Sequence, residues 1–173
     1  MRRWLALVIL AVPLAAGAQT RGSEEGGNAP AWSEMKSLPP AFPKPEDYLP
    51  LQVKTTTSFS FAVDAKSVSV DKDGVVRYSL IAKSTEGVLN VSYEGIRCAT
   101  REFRVFAYGR PDNTWSETRI ARWQPIPQDE RNTQRSTLQS DFFCPAGRIV
   151  DTAEEAVKAL AAGMHPRAIF SGR

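Results

Sequence analysis

The stretch DKDGVVRYSLIAKSTEGVLNVSYEGIRC, residues 71–98, decides the fold. Its two runs VVRYSLIAK and VLNVSYEGIRC alternate apolar and polar residues with a period of two, which is typical of β-strands. The segments DKDG and STEG carry the Asp, Ser and Gly residues of tight turns. Because strands joined by short turns pair with each other, the stretch predicts the centre of an antiparallel sheet.

The same alternation continues on both sides of this centre. TSFSFAV (57–63) and SVSV (67–70) precede it, and EFRVFAYG (102–109) follows it. In β-strands, successive side chains point to opposite faces. Phe103, Val105 and Ala107 are therefore predicted to face one way, and Glu102, Arg104, Phe106 and Tyr108 the other. The apolar parity changes between Tyr93 and Ile96, and we interpret that change as a β-bulge at Gly95.

Helices are predicted only after the strands. A short strand is expected between Trp115 and Trp123, and a helical segment within RNTQRSTLQSDFFCP, ending near Phe142. Thr152 with Glu155 forms a capping-box pattern ahead of the last helix, and Gly163 ends it. The predicted fold is α+β: an antiparallel β-sheet of about five strands with one or two C-terminal helices, stapled by one disulfide.

The N-terminal region divides into two segments. Residues 1–18 carry two arginines, an apolar run and an Ala-Gly-Ala end, which is the plan of a cleaved secretory signal peptide. Residues 19–50 form an arm that is polar at first and then rich in proline, which disfavours helix. Residues 51–165 are the predicted globular domain, and 166–173 a C-terminal tail.

Export fits the two cysteines, Cys98 and Cys144, which both lie in the mature chain. An even number of cysteines in an exported protein indicates a disulfide, although two buried free thiols are an alternative at this point. Neither cysteine lies near the cleavage site, so lipid anchoring is not expected. The sequence predicts a periplasmic or outer-envelope protein with no transmembrane span once the signal is removed.

Several pieces of the chain together resemble the CNP1-like family of bacterial envelope proteins. These are FAVDAKSVSVDKDGVVRYSLIAKS, NVSYEGIRC, FRVFAYG, LQSDFFCP and the upstream WSEMKSLPPAFPKPEDYL. The resemblance implies an exported protein of a family whose molecular function is uncharacterised. It implies no catalytic, cofactor-binding or metal-binding residues.

The residues themselves point away from catalysis. The chain has a single histidine, His165, which we expect at the surface near the C-terminus, and it has no phosphate-binding glycine loop. Two thiols and one histidine do not make a four-ligand metal site. We therefore expect a non-catalytic binding or scaffolding module without a cofactor; the alternative is an envelope enzyme of unrecognised type.

A candidate ligand face lies around the strand EFRVFAYG. Residues 97–135 contain eight arginines and no lysine, a bias that favours bidentate contacts to carboxylates and stacking on rings. Removing residues 1–18 changes the formal charge from +3 to +1, which disfavours nucleic acid as a partner. We expect an unidentified envelope component, either a protein or an anionic surface. The candidate face comprises Arg104, Phe106, Tyr108, Arg119 and Arg122. The alternative is that these arginines and rings form cross-strand ion pairs and arginine–aromatic contacts within the domain.

Overall fold

The computed structural model describes residues 31–53, 57–119, 122–127 and 133–170. The predicted signal peptide and the polar first half of the arm lie outside the described residues. From Trp32 onward the described chain forms one compact unit. No helix in the described ranges combines the length and apolar character needed to cross a membrane.

The described residues contain eight strands in one antiparallel sheet, which confirms the predicted sheet with more strands than expected. The central order is β1-β2-β4-β5-β6-β7; β3 continues along β4 beyond β2, and β8 continues along β6 beyond β7. The strands are β1 (Tyr48–Leu51), β2 (Phe59–Asp64), β3 (Ser69–Val70), β4 (Val75–Ser84), β5 (Leu89–Arg97), β6 (Glu102–Gly109), β7 (Trp115–Glu117) and β8 (Gln124–Pro125).

The two turns that flank β4 are those predicted from DKDG and STEG. The Gly74 amide donates to the Asp71 carbonyl at 3.0 Å, and the Gly87 amide donates to the Ser84 carbonyl at 3.0 Å. Both glycines have positive φ, 76° and 88°, which a residue with a side chain rarely adopts.

The edges of the sheet are short and contain proline. β1 begins within the proline-rich segment and includes Pro50, while β8 includes Pro125. Neither proline has a backbone N–H to offer to a further strand.

The two faces of the sheet are covered by different parts of the chain. Helices α1 (Thr133–Thr137), which continues as π-helical turns over Leu138–Phe143, and α2 (Ala153–Ala162) cover one face, here called the helix face. That face carries the main apolar core, including Tyr78 and Ile96. The opposite face is called the arm face, because residues 31–44 of the arm contact it.

The disulfide predicted between Cys98 and Cys144 is confirmed. The two Cα atoms are 5.6 Å apart, and both cysteines are buried in the core of the helix face. Cys98 follows β5, and Cys144 follows the π-helical turns. The bond therefore fixes the segment between the sheet and α2 onto the end of β5.

The predicted bulge exists close to Gly95, but it lies on β6 and not on β5. β5 pairs with β4 in unbroken register from Leu89 to Arg97. The irregularity lies between β5 and β6, where Tyr93 pairs with Ala107 but Glu94 pairs with Val105, so that Phe106 is the extra residue. The apolar parity of β5 changes because Tyr93 is buried on the arm face and Ile96 on the helix face.

Candidate functional site

The bulge at Phe106 separates the residues of the candidate ligand face. Arg104 pairs with Gly95 and so points to the arm face, whereas Tyr108 pairs with Ser92 and points to the helix face. The prediction that Arg104, Phe106 and Tyr108 share one face is therefore wrong. The extra residue at Phe106 reverses the alternation of side chains in the rest of β6.

Arg104 and Phe106 lie beneath the arm. The Arg104 guanidinium forms an ion pair with Glu34 of the arm and lies 5.0 Å from the centre of the Phe106 ring. Arg119 and Arg122, by contrast, are exposed, as is Tyr108 on the other face. The structure thus places Arg104 and Phe106 in contact and Tyr108 on the other face of the sheet, and a ligand role for the five residues stays a prediction.

A continuous row of aromatic rings holds the arm against the sheet. Neighbouring ring centres lie 5.1–6.3 Å apart, within the range of favourable aromatic pairs. The first and last rings belong to the arm and the others to the sheet and β7–β8 region. In order, the row is Trp32, Trp123, Phe106, Tyr93, Trp115 and Phe42.

Hydrogen bonds reinforce this row. The Trp115 indole donates to the Pro40 carbonyl at 2.8 Å, and the hydroxyls of Ser37 and Tyr93 are 2.7 Å apart. The Arg97 guanidinium stacks 3.9 Å from the centre of the Trp32 ring. The arm therefore uses both its apolar side chains and its backbone carbonyls to bind the sheet.

A buried arginine, Arg77, lies under the arm near the start of β4. Its side chain is 0% exposed and donates to Asp71 at 2.8 Å, to Asp73 at 2.6 Å and to the Met35 carbonyl at 3.2 Å. Burial alone would lower the pKa of Arg77, but hydrogen bonds and charge from Asp73 and Asp71 outweigh burial and raise it. The DKDG turn thus supplies the counter-charges of a buried cation.

A second buried ion pair lies on the helix face. Glu94 is 0% exposed and accepts hydrogen bonds from Arg135 at 2.8 and 2.7 Å, from Tyr78 at 3.2 Å and from Ser92 at 2.6 Å. The Arg135 guanidinium also stacks 4.2 Å from the centre of the Phe103 ring. Burial alone would lower the pKa of Arg135, but hydrogen bonds and charge from Glu94 outweigh burial and raise it.

An open groove lies beside this pair, where the helices no longer cover the sheet. Its volume is about 290 Å³. Phe61 of β2 and Tyr108 of β6 form its sides, Asn90 of β5 lies in its floor, and Gln134 and Arg135 of α1 close one end. Sequence reasoning named Tyr108 but missed the others, because only the fold brings β2, β5 and α1 to one place.

His165 does not lie at the surface, so that expectation is wrong. It is 5% exposed; its Nε2 lies 2.8 Å from Glu155, and its Nδ1 accepts a hydrogen bond from the Arg167 amide at 3.0 Å. Arg167 also donates to Glu155 at 2.7 Å. The segment predicted as a tail continues as a 3₁₀ turn over Pro166–Phe170, and these contacts tie it to the first turn of α2.

The polar groups of the two faces differ in how far they are already paired within the domain. Within the described residues no group of His, Cys, Asp or Glu side chains is arranged to hold a metal ion. The buried carboxylates of Asp73 and Glu94 are each bound to an arginine of the same domain. The buried carboxylate of Asp64 instead accepts a hydrogen bond from the Lys66 amide at 3.2 Å, and burial raises its pKa. The groove, in contrast, presents carboxamide, phenol and aromatic groups to solvent.

Comparison with known proteins gives one family and one relative. The sequence model of the CNP1-like family matches residues 27–161, which include the arm, the sheet and most of α2. The chain is 31% identical over 102 residues to Cryptic neisserial protein 1 of Neisseria gonorrhoeae (strain ATCC 700825 / FA 1090), with 52% of this chain and 50% of that protein covered. The chain thus spans about half the length of that relative. No solved structure matches the present chain.

Proposed function

The chain belongs to the CNP1-like family, and on that basis we propose that it is an exported module of the bacterial envelope that binds or scaffolds without catalysing a reaction. Its expected location is the periplasm or the outer envelope. Its expected partners are an envelope protein or an anionic envelope surface.

The observation that carries this proposal is the buried disulfide. Cys98 and Cys144 are the protein's two cysteines, and both are used in one bond inside the core. Disulfides that support the fold persist in oxidising compartments and are rare in the bacterial cytoplasm. The signal-peptide pattern of residues 1–18 supports the same compartment independently.

The ion pairs of the domain support a role without catalysis. A catalytic acid or base must reach the substrate, and its pKa must suit proton transfer. Glu94 and Asp73 are instead bound by Arg135 and Arg77, and their side chains are 0% and 1% exposed. These charges are compensated within the domain, whereas the arginines Arg119 and Arg122 are exposed and can meet a partner.

The location can be tested in the native host by mass spectrometry and thiol labelling. We expect the envelope fraction to contain a chain that starts at Gln19 and that, labelled in denaturant because both cysteines are buried, reacts with maleimide only after reduction. A Leu7→Arg variant, which interrupts the apolar run of the signal, is the control and should remain cytoplasmic with two reactive thiols. An intact Met1 terminus with reactive thiols in the wild-type protein would contradict the proposal.

Partner binding needs a separate comparison. Mature wild-type protein would be cross-linked in envelope extract, and the component that it retains would be identified. The variant carrying Arg119→Glu and Arg122→Glu should no longer retain that component. Arg148→Glu changes an exposed arginine elsewhere and should have no such effect. Equal retention by both variants would remove the exposed arginines from the binding surface.

A further inference from the structure

The groove on the helix face has the dimensions of a small-ligand site. Its volume of about 290 Å³ lies at the lower end of the range for ligand pockets in proteins. Phe61 of β2 and Tyr108 of β6 stand at its two sides, three strand spacings apart, which is about 14 Å between backbones. Ala82 and Ser92 lie between them, and these small residues leave the space open.

Two side-chain amides that can pair with a ligand, those of Gln134 and Asn90, line the groove. Gln134 is 8% exposed, lines the groove and makes no side-chain hydrogen bond to any residue in the described ranges. The Gln134 amide atoms are not among the buried side-chain atoms that lack a hydrogen-bond partner, so they are accessible from the groove and can pair with a ligand that enters it. The exposed Asn90 lines the same groove and likewise makes no side-chain hydrogen bond within the described chain.

The electrostatics of the groove favour an uncharged ligand. Among its lining residues, the charged groups are Glu94 and Arg135, which neutralise each other through two hydrogen bonds. A charged ligand would lose its hydration beside a pair that is already compensated, and that loss is unfavourable. The remaining lining groups are apolar, aromatic, hydroxyl or carboxamide.

We propose that this groove binds one uncharged sugar ring of an envelope glycan. A pyranose has C–H groups that pack on the Phe61 and Tyr108 rings, and hydroxyl or acetamido groups that pair with the Asn90 and Gln134 amides, each of which donates and accepts hydrogen bonds. An extended peptide fits less well, because the floor is a sheet whose backbone groups are already paired.

The proposal rests on the proposed function for its compartment, but binding is measured on purified protein, so the two can fail separately. ¹⁵N-labelled mature protein would be titrated with N-acetylglucosamine and with N,N′-diacetylchitobiose while the side-chain amide signals of Gln134 and Asn90 are followed by NMR. Both signals should shift and saturate. Glucosamine, which carries a charge, should bind at least about tenfold more weakly.

Variants separate the groove from the rest of the surface. Gln134→Leu should weaken sugar binding about tenfold or more without lowering the thermal midpoint, because the unpartnered amide contributes no bond within the fold. Gln124→Leu alters an exposed glutamine of β8 and is the matched control. Three results would overturn the proposal: no saturable shift with either sugar, unchanged binding by Gln134→Leu, or binding of trialanine in place of sugar.

Discussion

Replacing Cys98 and Cys144 together by alanine tests how much the cross-link between β5 and the segment before α2 contributes to stability. The two cysteines are 46 positions apart, so their bond closes a loop of 46 + 1 = 47 residues. Constraining a loop of that length in the unfolded chain is worth about 4 kcal/mol in the loop-entropy treatment. For a domain of this size, that loss should lower the thermal midpoint by about 10–15 °C.

The assay is thermal unfolding followed by circular dichroism, with and without a phosphine reductant. The reduced wild-type protein keeps both sulfur atoms, so comparing it with the double variant separates the cross-link from the packing of the sulfurs. The double variant should not respond to reductant. If oxidised and reduced wild-type protein melt at the same temperature, the cross-link does not stabilise the fold and the reasoning is refuted.

Three further predictions concern local contacts. Gly95→Ala would place its Cβ 2.9 Å from the Phe106 ring, so it should lower the free energy of unfolding in urea by about 1–3 kcal/mol, and a Phe106→Leu change should restore part of that loss. Although burial tends to raise the pKa of Asp73, hydrogen bonds and charge from Arg77 dominate and lower it. A carboxyl with a lowered folded pKa stabilises the fold above its unfolded value of about 3.9, and that contribution disappears as the pH falls through the folded value. The urea midpoint of the wild type should therefore fall steeply in acid, and that of Asp73→Asn less so; parallel pH profiles would contradict this. The Thr152 hydroxyl accepts a hydrogen bond from the Glu155 amide at 3.1 Å, so Thr152→Ala should lower the free energy of unfolding by about 1 kcal/mol, whereas Thr152→Ser keeps the cap. Equal losses of stability in both variants would argue against capping.

The strands were predictable where one period governs a long run. The alternation in residues 71–98 predicts β4 and β5, and the two turns around β4 follow from residue type. The cap of α2 was predictable for the same reason, since Thr152 and Glu155 have the spacing that the geometry requires. In each case the determining contacts are local in sequence.

The composition of the two faces was not predictable, because it depends on contacts between distant segments. The bulge belongs to β6, where no glycine marks it, whereas the glycine signal lies on β5. A Cβ at Gly95 would lie 2.9 Å from the Phe106 ring, so that glycine makes room for the bulged side chain of the neighbouring strand. A one-residue shift then moved Tyr108 to the opposite face and into the groove.

The arm shows the same limit from another direction. Its aromatic residues predict that it packs on the domain, but they do not predict what lies beneath it. The alternation in β4 predicts that Arg77 faces away from the apolar core toward solvent, yet it is fully buried. The turn at Asp71–Gly74 and the arm, which both lie outside the strand, supply the carboxylates and the carbonyl that pair with the buried guanidinium.

The proline-bearing edges of the sheet limit how this protein can associate with others. An unprotected edge strand is a template on which another chain can add a strand, and in a crowded compartment that leads to fibres or swapped assemblies. Here one edge is four residues long with Pro50 inside it, and the other is divided into β7 and β8 and includes Pro125. Association through shared backbone pairing is thereby disfavoured at both ends of the sheet. A partner that meets the described edges of the sheet would therefore have to recognise side chains, because little backbone there is available to extend the sheet.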